Sequence, residues 1–185
     1  MQEQLNFFKV ALEDLKIGAM TRSSKYVVET VMENVNGLSL SRVIEYGPGD
    51  GVVTREILKK MPKNGELIAI ETNPKFVDLL KKIDDPRIKI ISGTAQEISE
   101  KLKKDYRADI NLVVSSIPFS ILSPADKVRV VRNTYDLLKD HGRFIVFQYS
   151  PILLKLLGKY FNKHKIKTQF EFRNVPPMFI MSAQK

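Results

Sequence analysis

The chain has 185 residues, 43% of them hydrophobic and 28% charged, which suits one folded domain able to bury roughly two-thirds of its unfolded surface. With no cysteine and two histidines it has neither a disulfide framework nor a thiolate site, a structural metal is not expected, and no apolar run approaches the ~20 residues that span a bilayer. Thirty Lys and Arg against 21 Asp and Glu give a net charge of +9, concentrated late: residues 151–185 hold seven basic side chains and one acidic. Such a surface suits an anionic partner, either lipid headgroups or nucleic acid phosphates, unless it is simply a solvated face. The N-terminus lacks the basic-then-apolar layout of a signal peptide, so a cytoplasmic protein is expected.

Along the chain, helical periodicity covers residues 2–16 and 22–35. Leu5, Phe8, Leu12 and Leu15 fall on one face of the first helix, either as core or as a stripe that covers a ligand or lies in a membrane interface. Strand 42–46, helix 52–61, strand 66–71, helix 73–83, strand 87–91, helix 95–104 and strand 109–114 follow, then helix 124–139, strand 142–148 and helix 151–162. Strands alternating with helices of this length are βαβ units with right-handed crossovers. Runs 165–173 and 177–183 have only a Pro-containing turn between them and should pair antiparallel. With no linker or repeat, the expectation is one domain over 1–185, a helical lid at 1–35 on a core at 42–185, and no room for an appended domain. Lys155, Lys159 and Lys163 recur every four residues and are expected on one helix face.

The most informative stretch is Glu45-Tyr46-Gly47-Pro48-Gly49-Asp50-Gly51. A strand ends in an acidic residue, three glycines follow at alternate positions, and a helix begins near Val52. Glycine lets the backbone turn sharply and approach a ligand closely. The spacing is Glu-x-Gly-x-Gly-x-Gly, not the G-x-G-x-x-G dinucleotide fingerprint, although spacing alone leaves NAD open. The next strand ends in Glu71-Thr72-Asn73, twenty residues after Gly51, about where a ribose-binding carboxylate belongs. A strand-end surface charge is the plain alternative.

Together these two segments resemble motifs I and II of the class I S-adenosylmethionine-dependent methyltransferases. The resemblance implies an α/β, Rossmann-like fold, with helices on both faces of a seven-stranded, mostly parallel sheet ending in an antiparallel hairpin. It also implies that S-adenosyl-L-methionine is the cofactor, S-adenosyl-L-homocysteine the product, and no metal is required. Gly47, Pro48, Gly49 and Gly51 would wrap the methionine portion beside Glu45 and Tyr46, and Glu71 with Thr72 would hold the ribose. In many such enzymes the third strand leads into Gly-Asp-Ala, whose carboxylate meets the adenine amino group. Here Thr94 stands in place of that Asp, leaving backbone groups around Ala95 and Gln96 to serve.

The acceptor side begins after the fourth strand, at Ser115-Ser116-Ile117-Pro118-Phe119. Methyltransferases acting on adenine or glutamine nitrogen commonly carry Asn or Asp, then Pro and an aromatic. Ser116 to Phe119 keeps the proline and the aromatic but not the amide, and looks like the bacterial phospholipid N-methyltransferases, relatives of the ribosomal RNA adenine dimethylases. A tight turn with Phe119 in the core is the structural alternative. Gly18-Ala19-Met20 through Ser23-Ser24, and Asn174-Val175-Pro176-Pro177, also look like segments of the lipid enzymes, which places Met20 beside the cofactor.

The resemblance implies an enzyme that methylates the amine of a phosphatidylethanolamine-type phospholipid, as a monomer at an anionic membrane surface. Ser116, Ile117, Pro118 and Phe119 would meet the acceptor, with Tyr26, Tyr46 or Tyr149 orienting the amine or its water. His141, read as preceding a strand at the far edge, and His164, in a basic turn, are set aside. Ribosomal RNA adenine, a small-molecule amine, and a non-catalytic cofactor-fold module are the alternatives.

Overall fold

The computed structural model describes residues 23–185. Its elements are α1 (Lys25–Val35), β1 (Arg42–Tyr46), α2 (Val52–Lys60), β2 (Glu66–Glu71), α3 (Pro74–Leu80), β3 (Ile88–Ser92), α4 (Ala95–Tyr106), β4 (Ile110–Ser115), α5 (Pro124–Leu137), β5 (Leu138–Gln148), α6 (Leu154–Tyr160), β6 (Ile166–Glu171) and β7 (Met178–Gln184). The strands form one sheet in the order β3-β2-β1-β4-β5-β7-β6. β1 to β5 are parallel, and β7 runs antiparallel between β5 and β6. The expected sheet with its antiparallel end is what the chain forms.

Both faces of the sheet are covered, which is why its central strands are apolar throughout. Val27, Val31 and Val35 of α1 pack with Ile57 of α2 on Val43, Leu67 and Val114. On the other face, Ile98, Val130 and Leu157 of α4, α5 and α6 pack on Ile44, Val113 and Phe144. Ser24, Asn73, Thr94 and Ser123 cap α1, α3, α4 and α5 through side-chain oxygens that accept backbone N–H groups. From β1 the chain winds to β2 and β3, then returns to β4 on β1's other side, so the crevice opens where β1 and β4 end.

Several boundaries differ from expectation. Residues 25–35 form a layer of the core, with Val27 and Val31 completely buried, and the rest of the expected lid lies outside the described residues. β5 starts at Leu138, four residues before the apolar run, and continues through His141 at φ +65°. His141 therefore lies within the strand. α6 ends at Tyr160, and Lys163 belongs to a separate 3-10 turn, Lys163–Lys165, so Lys155, Lys159 and Lys163 do not share one helix. The Leu5 to Leu15 stripe and Met20 lie outside the described residues.

Candidate functional site

The site is built from the ends of β1, β2, β3 and β4. After Tyr46 the chain turns through Gly47 (φ +69°), Gly49 (φ +58°) and Gly51 (φ +78°), all in the left-handed region that glycine alone adopts without strain. The Gly47 amide donates to the Ile70 carbonyl (2.9 Å), and the Ser116 amide to the Tyr46 carbonyl (3.1 Å). These bonds extend the β1–β2 and β1–β4 ladders one step into the loop. A Cβ on Gly47 would stand 2.8 Å from Ile117 Cγ2, so the glycine loop and the turn after β4 are pressed together. A Cβ on Gly49 would meet nothing within 4 Å among the described residues. Gly51 caps α2, whose positive dipole end faces the loop.

Glu71 is only 6% exposed, yet its carboxylate is well supplied with donors. Oε2 accepts from the Gly49 amide at 3.1 Å, and Oε1 from the Thr72 and Asn73 amides at 2.7 and 2.9 Å. Thr72 itself is exposed at the strand end. Glu45 lies on the sheet face beneath the loop, 2% exposed, with Oε2 accepting from Thr54 Oγ1 at 2.7 Å. Burial pushes its carboxyl up to about 7, the Thr54 hydrogen bond opposes this, and the nearby Glu71 charge adds to the rise. Glu45 is thus roofed over, not displayed to a ligand. Pro48, between the first two glycines, is buried.

At the end of β3, Gly93 donates to the Glu71 carbonyl at 3.0 Å. The Thr94 hydroxyl accepts from the Glu97 amide at 3.3 Å as the α4 cap, so its side chain serves the helix. Ala95 is buried and Gln96 half-buried beside it.

The turn after β4 is where expectation and structure part. Ser116 Oγ donates to the Gly47 carbonyl, and Ser116 and Ile117 are half-buried against the glycine loop, with Pro118 exposed. Phe119 is completely buried and presents no ring to a substrate. Tyr46, expected at the ligand, is also completely buried: its hydroxyl pairs with Thr134 Oγ1 at 3.2 Å, and burial pushes its phenol up to about 12. Alternation along β1 sends Tyr46 to the face opposite Glu45, under α5. Ser115 is fully buried at the end of β4, and its hydroxyl has no partner among the described residues. Tyr26 stands in the first turn of α1 with Arg173 Cζ 4.6 Å and Lys25 Nζ 5.0 Å from its ring centre. That places it beside the β6–β7 turn, in which Arg173 lies.

Gln148 was not expected. It is 5% exposed at the end of β5, and its Oε1 accepts from the Phe119 amide (3.1 Å) while its Nε2 donates to the Ser150 carbonyl (2.6 Å). The one side chain ties the turn after β4 to the turn after β5. An amide ending an apolar strand, Phe147-Gln148-Tyr149, was the signal available in the sequence.

The residues fit the cofactor implied by the motifs. Among the described residues Gly49 leaves open space above a left-handed loop, and Glu71 Oε2, which accepts only the Gly49 amide, keeps a lone pair beside it for a ribose hydroxyl. Among the described residues no group of His, Asp or Glu is placed to hold a metal ion.

Comparison with known proteins agrees with this geometry. Residues 43–142 match the model of the "Methyltransferase domain" family. A probable ribosomal RNA small subunit methyltransferase A of Thermococcus onnurineus is 33% identical over 129 residues, 67% of this chain and 43% of that protein. An ornithine lipid N-methyltransferase of Singulisphaera acidiphila is 24% identical over 167 residues, 87% of this chain and 84% of that protein. The chain spans under half the length of the ribosomal RNA relatives it matches. Among solved structures, a precorrin-6y C5,15-methyltransferase of Geobacter metallireducens superposes with a TM-score of 0.67 at 17% identity, covering 89% of this chain and 90% of that one. A 1,6-didemethyltoxoflavin-N1-methyltransferase of Burkholderia thailandensis, crystallised with S-adenosylhomocysteine, gives 0.64 at 16%, covering 85% and 76%. With its glycine loop between β1 and α2, the acidic end of β2 and the β7 strand set antiparallel between β5 and β6, the chain belongs to the methyltransferase domain family and has the fold of the class I S-adenosylmethionine-dependent enzymes.

Proposed function

We propose that this chain is an S-adenosylmethionine-dependent N-methyltransferase whose acceptor is the amine of a membrane lipid of the phosphatidylethanolamine type. The turn after β4 carries the reading. Ser116-Ile117-Pro118-Phe119 offers no side-chain amide or carboxylate to hold the amino group of a base, and its aromatic ring is buried. A flat base would find nothing in this turn to stack on, whereas a primary amine on a flexible headgroup needs no such platform. The likeness to the ornithine lipid enzyme runs along most of both chains, which supports an aminolipid as the acceptor class.

In this reading Gly47, Pro48, Gly49 and Gly51 line the methionine portion of the cofactor over Glu45. Glu71 and Thr72 take the ribose, the backbone around Thr94, Ala95 and Gln96 meets the adenine, and Ser115 closes the crevice floor. When bound, S-adenosylmethionine supplies an electrophilic methyl group. The protein's part is to hold the acceptor nitrogen in line with it, a contribution of proximity and orientation. Because Ser116 Oγ gives its proton to the Gly47 carbonyl, its lone pairs are left to accept an N–H from the acceptor. The ammonium must first release a proton to water before its nitrogen can attack. The enzyme works as a monomer at the cytoplasmic face of a membrane, on which it rests. Among the described residues no helix is long and apolar enough to cross one.

The test is incubation with methyl-labelled S-adenosylmethionine in three parallel tubes, holding phosphatidylethanolamine vesicles, ornithine lipid vesicles and ribosomal RNA. Label in a lipid is the expected result, and the two lipid tubes separate the headgroups. Label in RNA alone overturns the proposal in favour of a base acceptor, the reading that the 33% identity to a ribosomal RNA relative favours.

A further inference from the structure

Large apolar side chains stand exposed at the crevice end of the sheet. Ile121 is 70% exposed, Ile152 51%, Phe172 72% and Val175 92%. They belong to three connections: the turn after β4, the turn after β5, and the β6–β7 turn. β4, β5 and β6 point the same way, so all three connections emerge at one edge. The rungs Gln148↔Phe179 and Glu171↔Met178 set the turn after β5 beside the β6–β7 turn, with neighbouring strands about 5 Å apart. Gln148 fastens the turn after β4 to the same edge through Phe119.

Charged groups of both signs stand on this edge: Arg173 is ion-paired with Glu171 at 2.7 Å, Glu29 of α1 also acts on Arg173, and Lys25 adds a cation. Arg173 follows Phe172 directly, and Arg173 and Lys25 both lie against the Tyr26 ring. The one carboxylate in residues 151–185, Glu171, is buried and already accepts from Arg173 and from Thr30. Aliphatic and aromatic tips interleaved with cations complement a bilayer that is apolar within and anionic at its surface. A nucleic acid would reward the cations and one stacked phenylalanine, but not Ile121, Ile152 and Val175.

We propose that this rim docks the protein on an anionic bilayer, seating Ile121, Ile152, Phe172 and Val175 below the headgroups with Lys25 at the phosphates. The inference rests on the aminolipid reading and gives it a geometry. The rim borders the Ser116–Phe119 turn, so a headgroup enters the crevice while its acyl chains stay in the membrane.

The chain has no tryptophan, so Phe172→Trp in the full chain is a sole fluorescent reporter. Its emission should shift to the blue on vesicles of phosphatidylethanolamine and phosphatidylglycerol, while a Lys63→Trp reporter at the opposite edge stays unshifted. The double variant Phe172→Ser, Val175→Ser should partition onto these vesicles about 10-fold more weakly. Unchanged affinity for S-adenosylmethionine would show that it remains folded. An unshifted Phe172→Trp, partitioning equal to wild type in the double variant, no vesicle binding by the wild type, or a loss confined to RNA binding each overturns the rim. Wild-type transfer to a soluble short-chain phosphatidylethanolamine is measured in parallel. Transfer with rim-independent partitioning removes the rim and keeps the acceptor, whereas rim-dependent partitioning without transfer to any aminolipid keeps the rim and removes the acceptor.

Discussion

The carboxylate of Glu71 holds the amide of Gly49 at 3.1 Å, joining the end of β2 to the middle of the glycine loop across 22 residues of sequence. The same carboxylate accepts from Thr72 and Asn73, so one side chain shapes two turns of the crevice. Glu71→Ala should weaken S-adenosylmethionine binding by about 10- to 100-fold, since a hydrogen bond to a charged group is worth roughly 1.5–3 kcal/mol. Calorimetric titration of the folded variant measures this. Affinity equal to wild type would remove Glu71 from the ribose contact. Glu71→Gln should bind better than Glu71→Ala, because its amide oxygen can still accept from part of the turn.

Gly47 and Gly49 should separate stability from binding. Gly47→Ala drives a Cβ to 2.8 Å from Ile117 at a positive φ, and should cost about 2–3 kcal/mol of stability with displacement of the turn after β4. Gly49→Ala meets no atom within 4 Å among the described residues beyond its chain neighbours and should cost about 1 kcal/mol, from backbone strain. Its methyl group stands in the open space above the loop, so it should lose cofactor affinity out of proportion to that small destabilisation. Denaturant titrations beside binding isotherms give both quantities. Equal affinity losses per kcal/mol in the two variants would show that this space is not a ligand cradle.

Gln148→Ala leaves the buried Phe119 amide without its acceptor, and should lower stability by about 1–3 kcal/mol. Because Gln148 touches the turns after β4 and β5 and not the glycine loop, methyl transfer should fall with cofactor affinity within about twofold of wild type. A variant that loses cofactor affinity in step with turnover would place Gln148 on the cofactor side.

Glu45 makes stability depend on pH. Its carboxyl, ordinarily near 4.5, is raised to about 7 in the folded protein, so between these values the folded state binds more protons than the unfolded one. Stability therefore falls as pH rises through this window, by up to about 3 kcal/mol, and no penalty remains below pH 4.5. Glu45→Gln keeps an acceptor for Thr54 and removes the charge. It should raise the melting temperature at pH 8 and leave it near wild type at pH 4.5. An equal gain at both pH values would place the effect in packing, not in ionisation.

Much of this architecture was legible because glycines and acids punctuate strand ends. The strands through β4 appear within one residue of their expected bounds. The apolar run places the start of β5 at Gly142, because Lys139 to His141 lack apolar periodicity: they fall in the ladder irregularity between the Ile110↔Leu138 and Leu112↔Arg143 pairs. α6 was read long because Leu153 and Phe161 continue its apolar spacing while lying outside it, buried beside the helix. The site was legible in its backbone more than in its side chains. Strand alternation puts Tyr46 and Glu45 on opposite faces, but in a sheet covered on both sides each direction leads into a core. What lies above the Tyr46 face, Thr134, comes from a helix 88 residues away that local pattern does not reveal, whereas Thr54 above Glu45 stands in the next helix, nine residues on. Gln148 escaped notice for the same reason, since its partner is 29 residues away.

The position of β7 also sets an order of assembly. β7 follows β6 in the chain but lies between β5 and β6 in the sheet, so β6 has no neighbour to pair with until β7 has left the ribosome. α1 rests on β6 through Thr30 and Glu171, so the helix waits for a strand made 141 residues later. Until then the exposed edge of β5 and the loose β6 are the segments a chaperone would meet, or a neighbouring nascent chain would capture.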